Sequence, residues 1–186
     1  MGKVSVFNTV SVDGFFTDVR GDMSWAHKTD PEWIAFASDN AKGGDGMLLF
    51  GRVTYEMMAS YWPTEQAKKA APLVARGMND LAKVVFSRSL DVATWNNTRL
   101  VKTGLEDEVR TLKRTSQKSM TILGSGSIVS QLAREGLIDE YQLVVSPIIL
   151  GKGRTLFEGA DIKLPLKLVR SRSFQNGNVV LWYEPA

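Results

Sequence analysis

The apolar positions of this chain change period along its length. Val4, Val6, Val10 and Val12 alternate, with Phe7 facing the other way, which predicts an N-terminal strand that Asp13-Gly14 ends or kinks. Phe15 to Lys28 keeps no clear period and reads as a long loop carrying Gly21-Asp22, Trp25 and a solvated His27. Asp30-Pro31-Glu32 then starts a helix, with Asp30 as N-cap and Pro31 at the first helical position. Its apolar face holds Trp33, Phe36 and Ala37, and Gly43-Gly44 should end it. Met47 to Phe50 is a short buried strand that runs straight into Gly51-Arg52-Val53-Thr54 and a helical spacing through Val53, Met57 and Met58.

The second half repeats the alternation. Pro63 to Asp80 is polar and lysine-bearing, with helical stretches, and Val84-Val85-Phe86 is a strand followed at once by Ser87-Arg88. Arg99 to Lys102 is a short strand, and Thr103 with Glu106 predicts a capping box ahead of Leu105, Val109 and Leu112. The stretch from Met120 to Gln131 is central: an apolar run, the turn Gly124-Ser125-Gly126, and a helix with Ile128 and Leu132 on one face, closed by Gly136. Tyr141 to Leu150 is an apolar strand, and Gly151-Lys152-Gly153 is a glycine loop after it. Leu166 to Ser173 and Val179 to Tyr183 flank Asn176-Gly177, a hairpin signal. Strands and helices thus alternate and the chain finishes in strands, the pattern of an α/β fold.

Composition narrows the function classes. The 186 residues hold no cysteine and one histidine, so disulfides, thiolate chemistry and a multi-histidine metal site are excluded within one chain. A net charge of +3, with acids and bases mixed, argues against nucleic acid, although it suits a small polyanion. No apolar run reaches membrane-span length and the first residues lack a signal-peptide core, so the expectation is one cytoplasmic domain over residues 1–186 with no membrane partner.

Candidate chemistry clusters at strand ends. Gly51-Arg52-Val53-Thr54, Ser87-Arg88 and Gly124-Ser125-Gly126-Ser127 each follow a strand. Ligands of open α/β sheets sit beyond the strand carboxyl ends, and a helix N-terminus favours phosphate. The central turn departs from the dinucleotide fingerprint G-x-G-x-x-G, because Val129 stands at the third glycine. Gly124 and Gly126 are expected where a side chain would meet a pyrophosphate or require a disfavoured φ.

Taken with Ser11-Val12-Asp13-Gly14, Tyr55-Glu56 after Thr54, and the tail Pro147 to Phe157, this order resembles the dihydrofolate reductase-like superfamily. Within it the chain is most similar to the reductase domain of the riboflavin-biosynthesis deaminase/reductase and its stand-alone relatives. The resemblance implies a three-layer fold, a mostly parallel central sheet with an antiparallel C-terminal hairpin. It implies an NADPH-dependent oxidoreductase of a small heterocycle, similar to 5-amino-6-(5-phosphoribosylamino)uracil reductase or dihydrofolate reductase, and a homodimer. It implies cofactor contacts from Val10, Gly51, Arg52, Thr54, Ser87, Arg88 and Gly124 to Ser127, with Arg88 near a 2′-phosphate. Trp25, Gly151, Lys152 and Gly153 fall on the substrate side. Asp13 and Asp30 both remain candidates for the proton donor. The rival reading is a nucleotide-binding or regulatory protein of the same fold without turnover.

Overall fold

The computed structural model describes residues 1–26, 30–41 and 46–186. His27 and the helix stop expected at Gly43-Gly44 lie outside the described residues. The main sheet has eight strands in the order β5-β4-β3-β6-β1-β7-β10-β9. Its members are β1 (Val4–Ser11), β3 (Met47–Gly51), β4 (Ala82–Phe86), β5 (Thr98–Val101), β6 (Met120–Leu123), β7 (Glu140–Ser146), β9 (Leu166–Ser173) and β10 (Val179–Pro185). The strands from β5 to β7 run parallel, and β10 pairs antiparallel with both β7 and β9. This is the α/β sheet with an antiparallel C-terminal hairpin that the pattern predicts.

Alternation along each strand decides which layer a residue joins. Val4, Val6, Leu49, Val84, Met120 and Ile122 face α5 (Leu105–Thr115) and α6 (Gly126–Arg134), and pack with Val109, Ile128 and Leu132. Their neighbours Leu48, Phe50 and Val85 face the other way, onto Tyr55 of α2 (Arg52–Tyr61), Met78 of α4 (Pro72–Asp80) and Trp95. The short helix α3 (Glu65–Ala70) lies between them in sequence. On the right of that same face α1 (Pro31–Ala41) buries Phe36 against Val144, Val180 and Trp182. Helices on both faces are what a mostly parallel sheet requires, since its strands are apolar on both sides.

Local chemistry refines several boundaries. The loop after Asp13 contains a short strand, β2 (Phe15–Thr17), paired with β8 (Arg154–Thr155), and a single 3₁₀ turn at Ser24–Ala26. The expected capping box at Thr103 does not form. Gly104 occupies the N-cap of α5 at φ 70, with no side-chain cap, because the chain enters this helix through a left-handed residue. At the end of α6, Leu137 N–H donates to Leu132 O and Gly136 N–H to Ala133 O, with Gly136 at φ 63, the Schellman arrangement that a terminal glycine permits. In the C-terminal hairpin Gly177 takes φ 85, and its N–H donates to Phe174 O, so Asn176-Gly177 closes a three-residue loop rather than a two-residue turn.

The apolar strand at Tyr141 is hydrogen-bonded to β1 on one side and β10 on the other, so it is an interior strand of the sheet. It also ends at Ser146 rather than continuing to Leu150.

Candidate active site

The parallel order reverses direction between β3 and β6. From β3 the chain leaves through α2 toward β4; from β6 it leaves through α6 toward β7, on the opposite side. Such a reversal opens a crevice at the strand carboxyl ends. Two of the three strand-end motifs meet there. Ser125 Oγ accepts from Gly51 N–H at 2.8 Å, and Ser125 N–H donates to Thr54 Oγ1 at 3.1 Å. Asn8 Nδ2 donates to Gly124 O at 3.2 Å from the neighbouring strand.

These contacts change the meaning of individual residues. Gly124 and Ser125 take φ 58 and φ 60 in succession, and a Cβ on Gly124 would lie 2.8 Å from Thr54 Oγ1. Gly124 therefore answers both to a left-handed backbone and to the close approach of Thr54. Gly126 does not adopt a positive φ; its missing Cβ leaves room for the Phe16 ring, 3.1 Å away. A Cβ at Gly126 would thus meet a neighbouring side chain. A Cβ on Gly51, likewise, would lie 3.3 Å from Ser125 Oγ and Ile128 Cγ1. The Thr54 hydroxyl is buried and accepts a bond inside the fold.

The backbone remains available. Neither α2 nor α6 has a side-chain cap, although Thr54 and Ser125 stand at their first turns. Two uncapped helix N-termini thus lie side by side at the crevice, each with unpaired-end N–H groups and the positive end of its dipole. Ser127 is exposed at the start of α6, and Arg52 is exposed at the start of α2, where it pairs with Glu56 at 2.9 Å. One strand further out, Ser87 Oγ accepts from Leu90 N–H at 2.9 Å and shapes the turn after β4. Arg88 is exposed beside it. The site suits an extended anion with several phosphates: backbone donors in the middle and guanidinium groups at the outer end.

The opposite side of the carboxyl edge is built from carboxylates and amides. Asp13 accepts from Ser11 Oγ at 2.6 Å, Gly151 N–H at 2.7 Å and Leu150 N–H at 3.1 Å. The Ser11 hydroxyl, with these backbone donors, holds its carboxyl below the usual value of 3.8. It clasps the tail loop to the end of β1. Asp30 caps α1, accepting from Trp33 N–H at 3.0 Å, and also accepts from Asn176 Nδ2 at 2.5 Å. Asn176 Oδ1 takes the N–H of Asn178, whose Oδ1 meets buried Ser146 Oγ at 3.0 Å. Ser146 stands opposite Ser11 in the sheet register. A run of polar groups therefore links Asp30 across the carboxyl edge toward Asp13. An open cavity of about 410 Å³ lies at its Asp30 end, lined by Asp30, Pro31, Glu32, Gln175 and Asn176.

The remaining predicted residues are dispersed. Val10 packs at the margin of the core near the end of β1. Trp25 is half-buried in its loop and donates Nε1–H to Asp22 O at 3.2 Å. Gly151 takes φ 73, Gly153 sits tightly against the backbone of Thr17, and Lys152 is exposed between them. Sequence reasoning missed Asn8, Ser11, Ser146, Asn176 and Asn178. A legible signal existed for Asn8, a polar residue at an inward position of the Val4-Val6-Val10 alternation. The others are visible only once β1, β7 and the hairpin are side by side.

The two helix N-termini thus stand at the switch point of an open, mostly parallel α/β sheet closed by an antiparallel hairpin. The profile of the RibD C-terminal domain family matches residues 2–180, and the chain belongs to that family. It is 28% identical over 174 residues to the uncharacterized protein YyaP of Bacillus subtilis (strain 168), covering 94% of this chain and 90% of that protein. Its fold is similar to a putative riboflavin biosynthesis protein from Shewanella sp. PV-4, with a TM-score of 0.75, 23% identity and 99% of each chain covered. It is also similar to the Thermotoga maritima diaminohydroxyphosphoribosylaminopyrimidine deaminase/5-amino-6-(5-phosphoribosylamino)uracil reductase, with a TM-score of 0.69 and 18% identity. There all of this chain spans 57% of the larger one. The reductase-domain fold expected from the sequence is thereby established.

Proposed function

We propose that this protein is an NADPH-dependent reductase of a small heterocyclic substrate. The observation that carries the reading is the pair of uncapped helix N-termini stitched together by Ser125 and Thr54 at the β3/β6 switch point. The residues present fit a dinucleotide phosphate. The N-termini of α2 and α6 would hold the pyrophosphate, and Arg88, with Arg52, would meet the ribose 2′-phosphate. When bound, NADPH supplies the hydride.

The protein's own part is binding, orientation and proton control. Asp13 fixes the loop at Leu150 and Gly151, which frames the substrate side of the crevice. A carboxylate with a lowered pKa that accepts three hydrogen bonds is a positioning group rather than an acid near neutral pH. Asp30, adjoining the open cavity, is the better placed of the two to exchange a proton with a substrate or water. A second reading, nucleotide binding without turnover, is favoured by the fact that Asp30 is already committed to a helix cap and to Asn176.

Calorimetric titration with NADPH and NADH tests the cofactor. NADPH should bind more tightly, and Arg88→Ala should reduce that preference while leaving NADH affinity and melting temperature unchanged. A charge-assisted contact contributes about 1.5–3 kcal/mol, a loss of roughly one to two decades in affinity. Equal affinities in the parent protein would remove the 2′-phosphate site. Consumption of NADPH only when a pyrimidine or pterin is added separates the reductase from the binding protein.

A further inference from the structure

Tyr55 and Tyr141 are both buried, and the fold treats their hydroxyls differently. Tyr55 is 3% exposed, and its hydroxyl accepts from Trp95 N–H at 2.9 Å. Tyr141, on β7, is 1% exposed, and its hydroxyl has no hydrogen-bond partner among the described residues. A buried tyrosine ordinarily finds one, because an unanswered hydroxyl in apolar surroundings is costly. Among the described residues the one side-chain polar atom both sealed from solvent and unpaired is Asn178 Nδ2, so the Tyr141 hydroxyl is not sealed. Its slight exposure opens on a groove of about 590 Å³ that Tyr141 lines. Burial pushes the phenol up to about 12, so near neutral pH it keeps its proton and remains a donor.

The rest of the groove is apolar and held in place. The segment 157–166 supplies Phe157, Ile162, Leu164 and Leu166. Arg134 at the end of α6 donates to Gly159 O and Ala160 O and pins that segment. Ile162, Leu164 and Leu166 stay between 36% and 38% exposed, so the groove presents solvated apolar surface. The Phe157 and Tyr141 rings stand 5.9 Å apart, tilted by 56°, a pair that a third ring can join. The charged residues of the lining are Asp161 and Lys163, both exposed and opposite in sign. In the sheet Tyr141 lies beside Val6, five residues before Ser146 at the carboxyl edge. That is roughly 17 Å along the strand, so the groove is separate from the crevice.

We propose that this groove is a second small-molecule site, for a neutral aromatic compound carrying one hydrogen-bond acceptor, such as a ketone, ester or amide. Its volume lies within the range of small-ligand clefts, roughly 300–1,000 Å³. Apolar side chains around a single placed donor are the composition of such a cleft. The donor sets the chemistry. An O–H is the half of the hydroxyl that must be answered; a carbonyl oxygen answers it and a plain hydrocarbon does not. The rim sets the charge: an acid or a base would gain from one of Asp161 and Lys163 and lose to the other. The site makes no use of the cofactor, so its failure would leave the reductase reading untouched.

Fluorescence titration of the full chain with Prodan, a neutral naphthalene ketone whose emission reports hydrogen bonding and polarity, tests it. The parent should bind one dye per chain with a dissociation constant on the order of 10–100 µM, and excess NADPH should leave the dye in place. Tyr141→Phe keeps the ring and loses the donor. It should melt cooperatively, at or above the parent temperature, and bind Prodan roughly three- to tenfold more weakly. N-Phenyl-1-naphthylamine, which has no carbonyl, should bind both proteins alike. Leu164→Asp, at an exposed position, should abolish Prodan binding with an unchanged circular dichroism spectrum. No saturable binding by the parent overturns the proposal, as does displacement by NADPH, which would put the dye in the crevice. A Tyr141→Phe protein that binds Prodan as tightly as the parent overturns it, because water alone would then answer the hydroxyl. So does a Leu164→Asp protein that binds like the parent. Dye occupancy that falls as protein concentration rises overturns it too, since a second copy of the chain would then cover the groove.

Discussion

The two sides of the sheet's carboxyl edge use polar groups differently. At the β3/β6 crevice each side chain bonds to backbone: Ser125 Oγ takes the Gly51 N–H, Thr54 Oγ1 takes the Ser125 N–H, and Asn8 Nδ2 gives to Gly124 O. At the β1/β7 side the side chains also bond to one another, Ser11 to Asp13, Asn176 to Asp30 and Ser146 to Asn178, while Asp13 holds the Leu150 and Gly151 N–H groups and Asp30 that of Trp33. A hydroxyl near a phosphate loop is thus not automatically a phosphate ligand, and a carboxylate beside a pocket is not automatically an acid. Which groups remain unsatisfied decides what a site can bind.

The largest test of this contrast is Gly124→Ala. It forces a side chain into a left-handed residue and against Thr54, and should cost roughly 2–4 kcal/mol of stability, read from the denaturant midpoint. In a Thr54→Ser background, which removes the Cγ2 that stands 2.9 Å from the added Cβ, part of that loss should return. No recovery would mean the two junctions are not locked to each other.

Asp13→Asn should act next, and its signature is pH. The folded carboxyl titrates below its ordinary value of 3.8, so the clasp stabilises fully above that value and is lost as pH falls through the folded pKa. The melting-temperature gap between parent and Asp13→Asn should be constant from neutral pH down to about 5, then close in more acid solution. A gap that closes near neutrality would instead mark Asp13 as an acid poised for catalysis.

The smallest effect is expected at Gly126→Ala. Gly126 is the first residue of α6, and the Phe16 ring must give way by a few tenths of an ångström, so the net loss of stability should stay near about 1 kcal/mol. NADPH affinity should be unchanged. A large loss of affinity with normal folding would return Gly126 to the ligand side.

Much of this was legible in the chain itself. Strand and helix order, the Gly136 stop and the C-terminal hairpin follow from period and turn chemistry, because these are local properties of a few adjacent residues. Strand-end motifs were legible for the same reason: a glycine turn after an apolar run is a short-range signal. The Thr103 capping box was misread because a one-residue left-handed glycine displaces the cap, and nothing in the local pattern favours one over the other.

What the tertiary structure alone decided is who touches whom. Gly51 and Thr54 lie 74 and 71 positions from Ser125 in sequence yet share one hydrogen-bonded unit with it, because β3 and β6 are neighbours only after the chain has crossed back over the sheet. The same crossing made Phe16 the reason for Gly126, turned Asp13 into a clasp on a loop 137 residues away, and placed β7 inside the sheet rather than at its edge. Period and propensity act over one turn or one strand; register, the identity of neighbours and the unsatisfied groups left over are set by the packing of the whole sheet.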